Sequence, residues 1–227
     1  MINDPVRVEG PTVPPPAEYN TMNVKICGIT REHDALAAES LGAAAVGFVF
    51  YRKSPRYVEP RRVREIASAL GPFIGRVGVF VDASQDEILT VAEEGRLTAV
   101  QLHGRETPAI CHAVRDYPVI KAFATREDFS PKTLEMYNTA AFLLDASVTG
   151  AHGGTGVTCD WNIAAECALR HRIILAGGLG PENIVQAVTT VRPWGVDCSS
   201  GVEDSPGKKN HELLHALFEE LKRGNIL

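Results

Sequence analysis

The sequence predicts a single (β/α)8 TIM barrel preceded by a flexible leader, and three observations carry that reading. The chain has 227 residues, enough for one domain that buries most of its apolar surface. Eight short apolar runs recur along it: Val24–Cys27, Ala44–Phe50, Val77–Val81, Ala99–Leu102, Val119–Phe123, Ala141–Leu144, Ile173–Ala176 and Trp194–Cys198. None shows a reliable in/out alternation, which is expected of strands buried on both faces in a parallel sheet. The repeat averages roughly 26 residues per unit, near the lower end for this barrel. An open doubly wound sheet would use fewer strands and place a glycine-rich turn after the first. Cys27-Gly28-Ile29-Thr30 has a single glycine.

The leader covers residues 1–21 and the barrel residues 22–227. Five of the fourteen prolines lie in that leader, with almost no periodic apolar pattern. Such a segment buries too little surface to offset its ordering entropy. Helical stretches lie between the runs. Asp34–Leu41 follows the first, and Pro60 opens the next as a first-turn proline running to Leu70. Ser84 to Glu87 forms a capping box before Ile88. Ser130-Pro131 and Gly180-Pro181 are expected to open two more helices. Trp161–Leu169 and Glu212–Leu221 supply the rest.

Composition narrows the class. Twenty-three Lys and Arg against 28 Asp and Glu give a net charge of −5, which leaves no basic footprint for nucleic acid. Hydrophobic residues make up 44% and charged residues 22%, an ordinary globular balance. No apolar run reaches the ~18 residues of a membrane span, and Met1 to Asn20 lacks the apolar core of a secretory signal. The five cysteines stand at 27, 111, 159, 167 and 198 with no paired spacing. Reduced thiols and a cytoplasmic location follow.

In such a barrel the functional groups sit at the C-terminal ends of the strands, with phosphate held by the loops after the last two. Gly177 and Gly178 follow the seventh run, and Ser199, Ser200 and Gly201 follow the eighth. Their backbone N–H groups can approach an anion closely. Gly154, in Gly153-Gly154-Thr155-Gly156, is placed to close over the same ligand. Cys27 and Asp145 end the first and sixth runs. A thiolate is a competent base, and a carboxyl group acts as acid when burial raises its pKa. The alternative for Cys27 is a buried structural thiol, which is how Cys111, Cys159, Cys167 and Cys198 read. A carboxylate directly after Phe142-Leu143-Leu144 is costly without a purpose or partner. Arg56 can grip a carboxylate in bidentate fashion or stand in solvent. His103 lines the mouth or bonds a backbone carbonyl, and Lys25 either faces inward or supports the rim. Lys208 and Lys209 read as solvated. No metal-ligand spacing or dinucleotide fingerprint occurs, so no metal or cofactor is expected.

These stretches together resemble the phosphoribosylanthranilate isomerase family. The matching segments are Lys25-Ile26-Cys27-Gly28-Ile29-Thr30, Gly47-Phe48-Val49-Phe50 with Ser54-Pro55-Arg56, and Val77-Gly78-Val79-Phe80-Val81. Val100-Gln101-Leu102-His103-Gly104, Leu143-Leu144-Asp145, the glycine loops, Asp197 to Glu203 and Pro206-Gly207-Lys208-Lys209 continue in order. The resemblance implies an Amadori rearrangement in tryptophan biosynthesis, with Cys27 as general base, Asp145 as general acid and Arg56 on the anthranilate moiety. It implies a phosphorylated aminosugar substrate; His103, Gly154, Gly177, Gly178, Ser200 and Gly201 are the strand-end residues expected to bind it, in a monomer or homodimer. Lys25, two residues before Cys27, is expected to share its strand face and favour the thiolate. Indole-3-glycerol phosphate synthase, on the same fold, would place a lysine and a glutamate at strand ends, whereas here the first strand ends in Cys. A phosphosugar-binding sensor would have no reason to keep both Cys27 and Asp145.

Overall fold

The computed structural model describes residues 22–125, 129–145 and 161–227. The leader, Gly153 to Gly156 and Cys159 lie outside the described residues. Eight parallel strands close into a barrel in sequence order. They are β1 (Asn23–Cys27), β2 (Ala45–Val49), β3 (Gly75–Phe80), β4 (Ala99–Leu102), β5 (Val119–Ala124), β6 (Ala141–Asp145), β7 (Ile173–Ala176) and β8 (Gly195–Cys198). Each lies within two residues of its apolar run. The lumen is packed by Val77, Ile120, Ala122, Ala141, Leu143, Ile174 and Ala176. The outward faces, with Ile26, Val46, Phe48, Val100, Leu144 and Val196, are buried in the larger core under the helices. Burial on both faces explains the missing alternation. The ring closes where β1 pairs with β8, with Lys25 opposite Asp197.

The helices are α1 (Glu32–Leu41), α2 (Pro60–Ala69), α3 (Gln85–Glu94), α4 (Pro108–Ala113), α5 (Trp161–Ala168), α6 (Ile184–Val191) and α7 (His211–Arg223). Pro60 opens α2 as expected. Ser84 caps α3, its side-chain oxygen accepting from the Glu87 N–H at 3.2 Å. Two expected openings are corrected. Ser130-Pro131 begins only a 3-10 turn, Pro131–Met136, in which Leu134 alone is buried, too short a segment to lay an apolar stripe on the barrel. Pro181 lies in a turn before α6, which is braced by the Gly180 N–H donating to Asn183 Oδ1 at 3.0 Å. Two elements had no clear sequence signal: the short α4 and an antiparallel hairpin of β9 (Glu203–Ser205) and β10 (Lys208–Lys209).

The first and last helices are stitched by Asp34, which is fully buried. Its carboxylate accepts from Arg31 at 2.8 and 2.9 Å, from His211 Nε2 at 2.9 Å and from the Lys209 N–H at 3.2 Å. Burial alone would raise its pKa, but these donors hold it below the ordinary carboxylate range.

The loop after β4 rests on a second buried ion pair. Lys121 Nζ donates to Glu106 Oε2 at 3.0 Å and to the carbonyls of Leu102, Gly104 and Ala122. Glu106 also accepts from the N–H groups of Asp82 and Gly104. Both side chains are only 2% exposed, so removing one leaves an uncompensated charge. Lys121→Met should therefore cost about 3–5 kcal/mol, read as a shift in the chemical-denaturation midpoint. A cost under about 1 kcal/mol, the range of a solvated pair, would contradict this reading.

Candidate active site

At the C-terminal end of the barrel a cavity of about 320 Å³ opens. Cys27, Arg56, His103, Asp145, Gly177, Gly178 and Ser200 all line it. The structure thus brings together seven of the nine residues expected there. Gly154 falls outside the described residues. Gly201 does not line the cavity: its bare Cα packs on the Leu179 carbonyl, where a Cβ would clash. It holds the two late loops together instead.

Cys27 is buried at the end of β1. Two residues earlier Lys25 also points inward and donates to Asp197 Oδ2 at 2.9 Å across the closing seam. Both side chains are nearly inaccessible. Burial disfavours the lysine charge, yet Asp197 holds its pKa above the ordinary range, so Lys25 stays an ammonium. The expectation that Lys25 shares the strand face of Cys27 and favours its thiolate holds in direction, but other effects outweigh it. Burial pushes the Cys27 thiol up and the Asp197 carboxylate adds to the rise. The charge and hydrogen bond of Lys25 pull it down without cancelling these effects. The thiolate is therefore scarce at neutral pH and correspondingly basic.

Gly47, opposite Cys27 on β2, makes this arrangement possible. A Cβ there would stand 2.8 Å from Cys27 Sγ and 3.1 Å from Lys25 Nζ.

Asp145 ends β6 with its side chain 26% exposed, Oδ2 lying 3.7 Å from His103 Nε2. That is within ion-pair reach but longer than a hydrogen bond. The Gln101 Nε2 group donates to His103 Nδ1 at 2.8 Å. The proton of neutral His103 accordingly sits on Nε2, facing Asp145. His103 does line the mouth.

Arg56 reaches the cavity from the β2–α2 loop but is not free to fork around a ligand. Its Nε donates to Glu203 at 3.0 and 3.1 Å, and Nη2 donates to the same carboxylate. Glu203 also accepts from Lys209 Nζ at 2.8 Å. Lys209 was expected in solvent; its side chain is fully buried, with Nζ donating also to the Ser199 carbonyl at 3.1 Å. Lys208 is exposed as expected. Burial would raise the Glu203 pKa, but its two cationic donors hold it below the ordinary range. Gly28, at φ +79°, lets Arg56 lie against the backbone, since a Cβ would stand 2.6 Å from Arg56 Cδ.

Gly177 and Gly178 adopt φ of +97° and +64° beside Ser199 and Ser200. The left-handed turn exposes consecutive backbone N–H groups, the geometry of an anion-binding concavity. Cys111, Cys167 and Cys198 are buried thiols away from the cavity lining. The functional candidates missed from sequence are Gly47, Gln101, Asp197, Glu203 and Lys209.

Gly47→Ala should leave the barrel folded while pushing Cys27 out of register. Displacements near 1 Å cost up to about 10²-fold, so steady-state kcat/KM should fall at least tenfold, while overpacking lowers stability by only about 1–3 kcal/mol. Unaltered kcat/KM would show that Cys27 needs no such clearance.

The family model described as N-(5′-phosphoribosyl)anthranilate (PRA) isomerase matches residues 24–220. A curated relative from Geobacter sp. strain M21, N-(5′-phosphoribosyl)anthranilate isomerase, is 48% identical over 200 residues, covering 88% of this chain and 98% of its own. Its counterpart from Thermotoga neapolitana is 45% identical over 203 residues, with the same coverage. Among solved structures, phosphoribosyl anthranilate isomerase from Thermus thermophilus superimposes with a TM-score of 0.81 at 47% identity, over 89% of this chain and 99% of its own. Another, at TM-score 0.77 and 39% identity over 89% of this chain and all of its own, is phosphoribosyl anthranilate isomerase in complex with reduced 1-(o-carboxyphenylamino)-1-deoxyribulose 5-phosphate. With the match running from the first strand into the last helix, the chain belongs to the N-(5′-phosphoribosyl)anthranilate isomerase family.

Proposed function

We propose that Cys27 and Asp145 are the general base and general acid with which this isomerase of tryptophan biosynthesis performs its Amadori rearrangement. The substrate, N-(5-phosphoribosyl)anthranilate, becomes 1-(2-carboxyphenylamino)-1-deoxyribulose 5-phosphate. The observation that carries the assignment is that the two groups end β1 and β6 and line one cavity with Arg56 and the two late loops.

Asp145 gives a proton to the furanose ring oxygen. The C1–O bond breaks and the substrate nitrogen supplies the electron pair that forms the Schiff base. The Cys27 thiolate then removes the proton from C2. That electron pair forms a C1–C2 double bond and neutralises the nitrogen. Tautomerisation of the resulting enolic amine gives the C2 ketone. One acid and one base suffice, because the nitrogen of the substrate is the electron sink. Arg56 takes the anthranilate carboxylate through Nη1, which makes no protein hydrogen bond among the described residues while Glu203 holds the other edge. Gly177, Gly178 and Ser200 hold the phosphate with Gly154, and His103 backs Asp145.

General acid–base groups contribute about 10²–10⁴-fold each. Cys27→Ser and Asp145→Asn should each lose at least that much kcat while still binding a product analogue. Full activity in either variant would remove that residue from its role.

We further infer that the working unit is a homodimer in the cytoplasm. Phe73, in the α2–β3 loop, is completely exposed. At the same end of the barrel an apolar cavity of about 280 Å³ is lined by Ala45, Val77, Ala99, Ile120 and Ile174. A solved relative from Thermotoga maritima, 39% identical with a TM-score of 0.79 over 89% of this chain and 99% of its own, is described as generated monomers of a dimeric phosphoribosylanthranilate isomerase. Such an exposed anchor and receptive cavity suit two copies meeting end to end. No helix among the described residues is long and apolar enough to cross a membrane, and the four described cysteines are free. Light scattering should give the mass of a dimer for the wild type and of a monomer for Phe73→Ser. A wild-type monomer, or a dimer that survives the substitution, would contradict this assembly.

A further inference from the structure

Two buried acceptor atoms on cavity-lining residues have no partner among the described residues. Asp197 Oδ1 and Gln101 Oε1 are both inaccessible and make no hydrogen bond among the described residues. Each belongs to a side chain whose other end is engaged. Asp197 Oδ2 accepts from Lys25, and Gln101 Nε2 donates to His103. Both residues line the cavity, and their relative exposures are only 8% and 1%. An unmatched buried acceptor is destabilising, so native structures hold few of them. Their lone pairs call for O–H or N–H donors supplied by a ligand.

The neighbours decide which donors. Phosphate and carboxylate are excluded at these two points, because Asp197 is itself anionic and the Gln101 carbonyl oxygen offers no proton. The apolar aryl ring has no use for them either. The amine N–H bonds the ortho carboxylate of its own ring, which leaves the hydroxyl groups of the sugar as the donors the substrate can offer. Asp197 lies beside Cys27, close enough to perturb its ionisation, and Cys27 works at C2. Gln101 stands on β4, on the opposite wall of the barrel from β8, and is the acceptor left for the neighbouring hydroxyl.

We propose that Asp197 Oδ1 accepts a hydrogen bond from the C2 hydroxyl of the sugar and Gln101 Oε1 from the C3 hydroxyl, so that both residues select a hydroxylated phosphosugar. This rests on reading the cavity as the phosphoribosylanthranilate site. The lysine partner makes Asp197 directional. Lys25 requires an acceptor at Oδ2, so in Asp197→Asn the amide oxygen stays with Lys25 and the NH₂ group turns to the cavity. A donor then replaces the acceptor.

The test compares substrates made by condensing anthranilate with ribose 5-phosphate and with 3-deoxyribose 5-phosphate. The wild type should prefer the ribose compound in kcat/KM by roughly tenfold or more, the range for a site left with an unpaired buried polar group. In Gln101→Met that ratio should collapse toward one. Any loss from the changed orientation of His103 affects both substrates alike and cancels in the ratio. For Asp197, competitive inhibition by the 2-deoxyribose compound, which lacks the C2 hydroxyl, is compared with that by the reduced product analogue. Asp197→Asn should bind the analogue at least about tenfold more weakly, with its preference over the 2-deoxy compound reduced, because a neutral amide replaces the charged acceptor. A Gln101→Met enzyme that still discriminates against the 3-deoxy substrate overturns the proposal, and this variant keeps the test decisive if Asp197→Asn does not fold. A wild type that turns over neither compound overturns the reading of the site itself.

Discussion

The ion pair between Lys25 and Asp197 is the constraint around which this barrel is organised. It joins β1 to β8, the two strands whose pairing closes the ring. Nothing about it is cheap in free energy. Two charges leave water, and a buried pair of this kind is seldom more stable than an apolar replacement. What it supplies is position. Asp197 lines the cavity, the pair sets the charge beside Cys27, and Asp197 Oδ1 is the oxygen left over for the proposed sugar contact. It also dictates its surroundings, since only a glycine at position 47 clears both Lys25 and Cys27.

In the proposed binding mode, a second charged cluster receives the anthranilate end of the substrate. Arg56, Glu203 and Lys209 form a chain of donors and acceptors from the cavity to the β9–β10 hairpin. Lys209 extends it to the Ser199 carbonyl through its side chain and to Asp34 through its backbone N–H. Burial lowers the Lys209 pKa against the opposing pull of Glu203, which makes the lysine dependent on that glutamate. The hairpin therefore does more than connect β8 to α7. It holds the guanidinium with two of its nitrogens occupied, so that a carboxylate meets one prepared donor rather than a mobile side chain.

Most of the architecture was legible because barrel strands are apolar on both faces and end in turn residues. Cys27 and Asp145 could be found from their place at strand ends. Asp197 was equally visible in principle, since a carboxylate between Val196 and Cys198 is as costly as one after Leu144, but it sits inside its run rather than at the edge. Gln101 precedes His103 by two residues on the same face of β4, a relation that alternation alone would have flagged. Lys209 left no such trace. Its burial depends on Glu203 six positions earlier and on a hairpin too short for any periodic signal. The direction of the Cys27 shift was illegible for a different reason. Lys25 is close in sequence, whereas the carboxylate that neutralises it comes from the far end of the chain.

The division of labour between Cys27 and Asp145 is tested most directly by single-turnover kinetics on substrate deuterated at C2. If Cys27 is the base at C2, weakening it makes that proton transfer slow, and Cys27→Ser should show a full primary isotope effect. Asp145→Asn should show almost none, because opening of the sugar ring then limits the rate. An isotope effect confined to the Asp145 variant, or equal in both, would contradict the account.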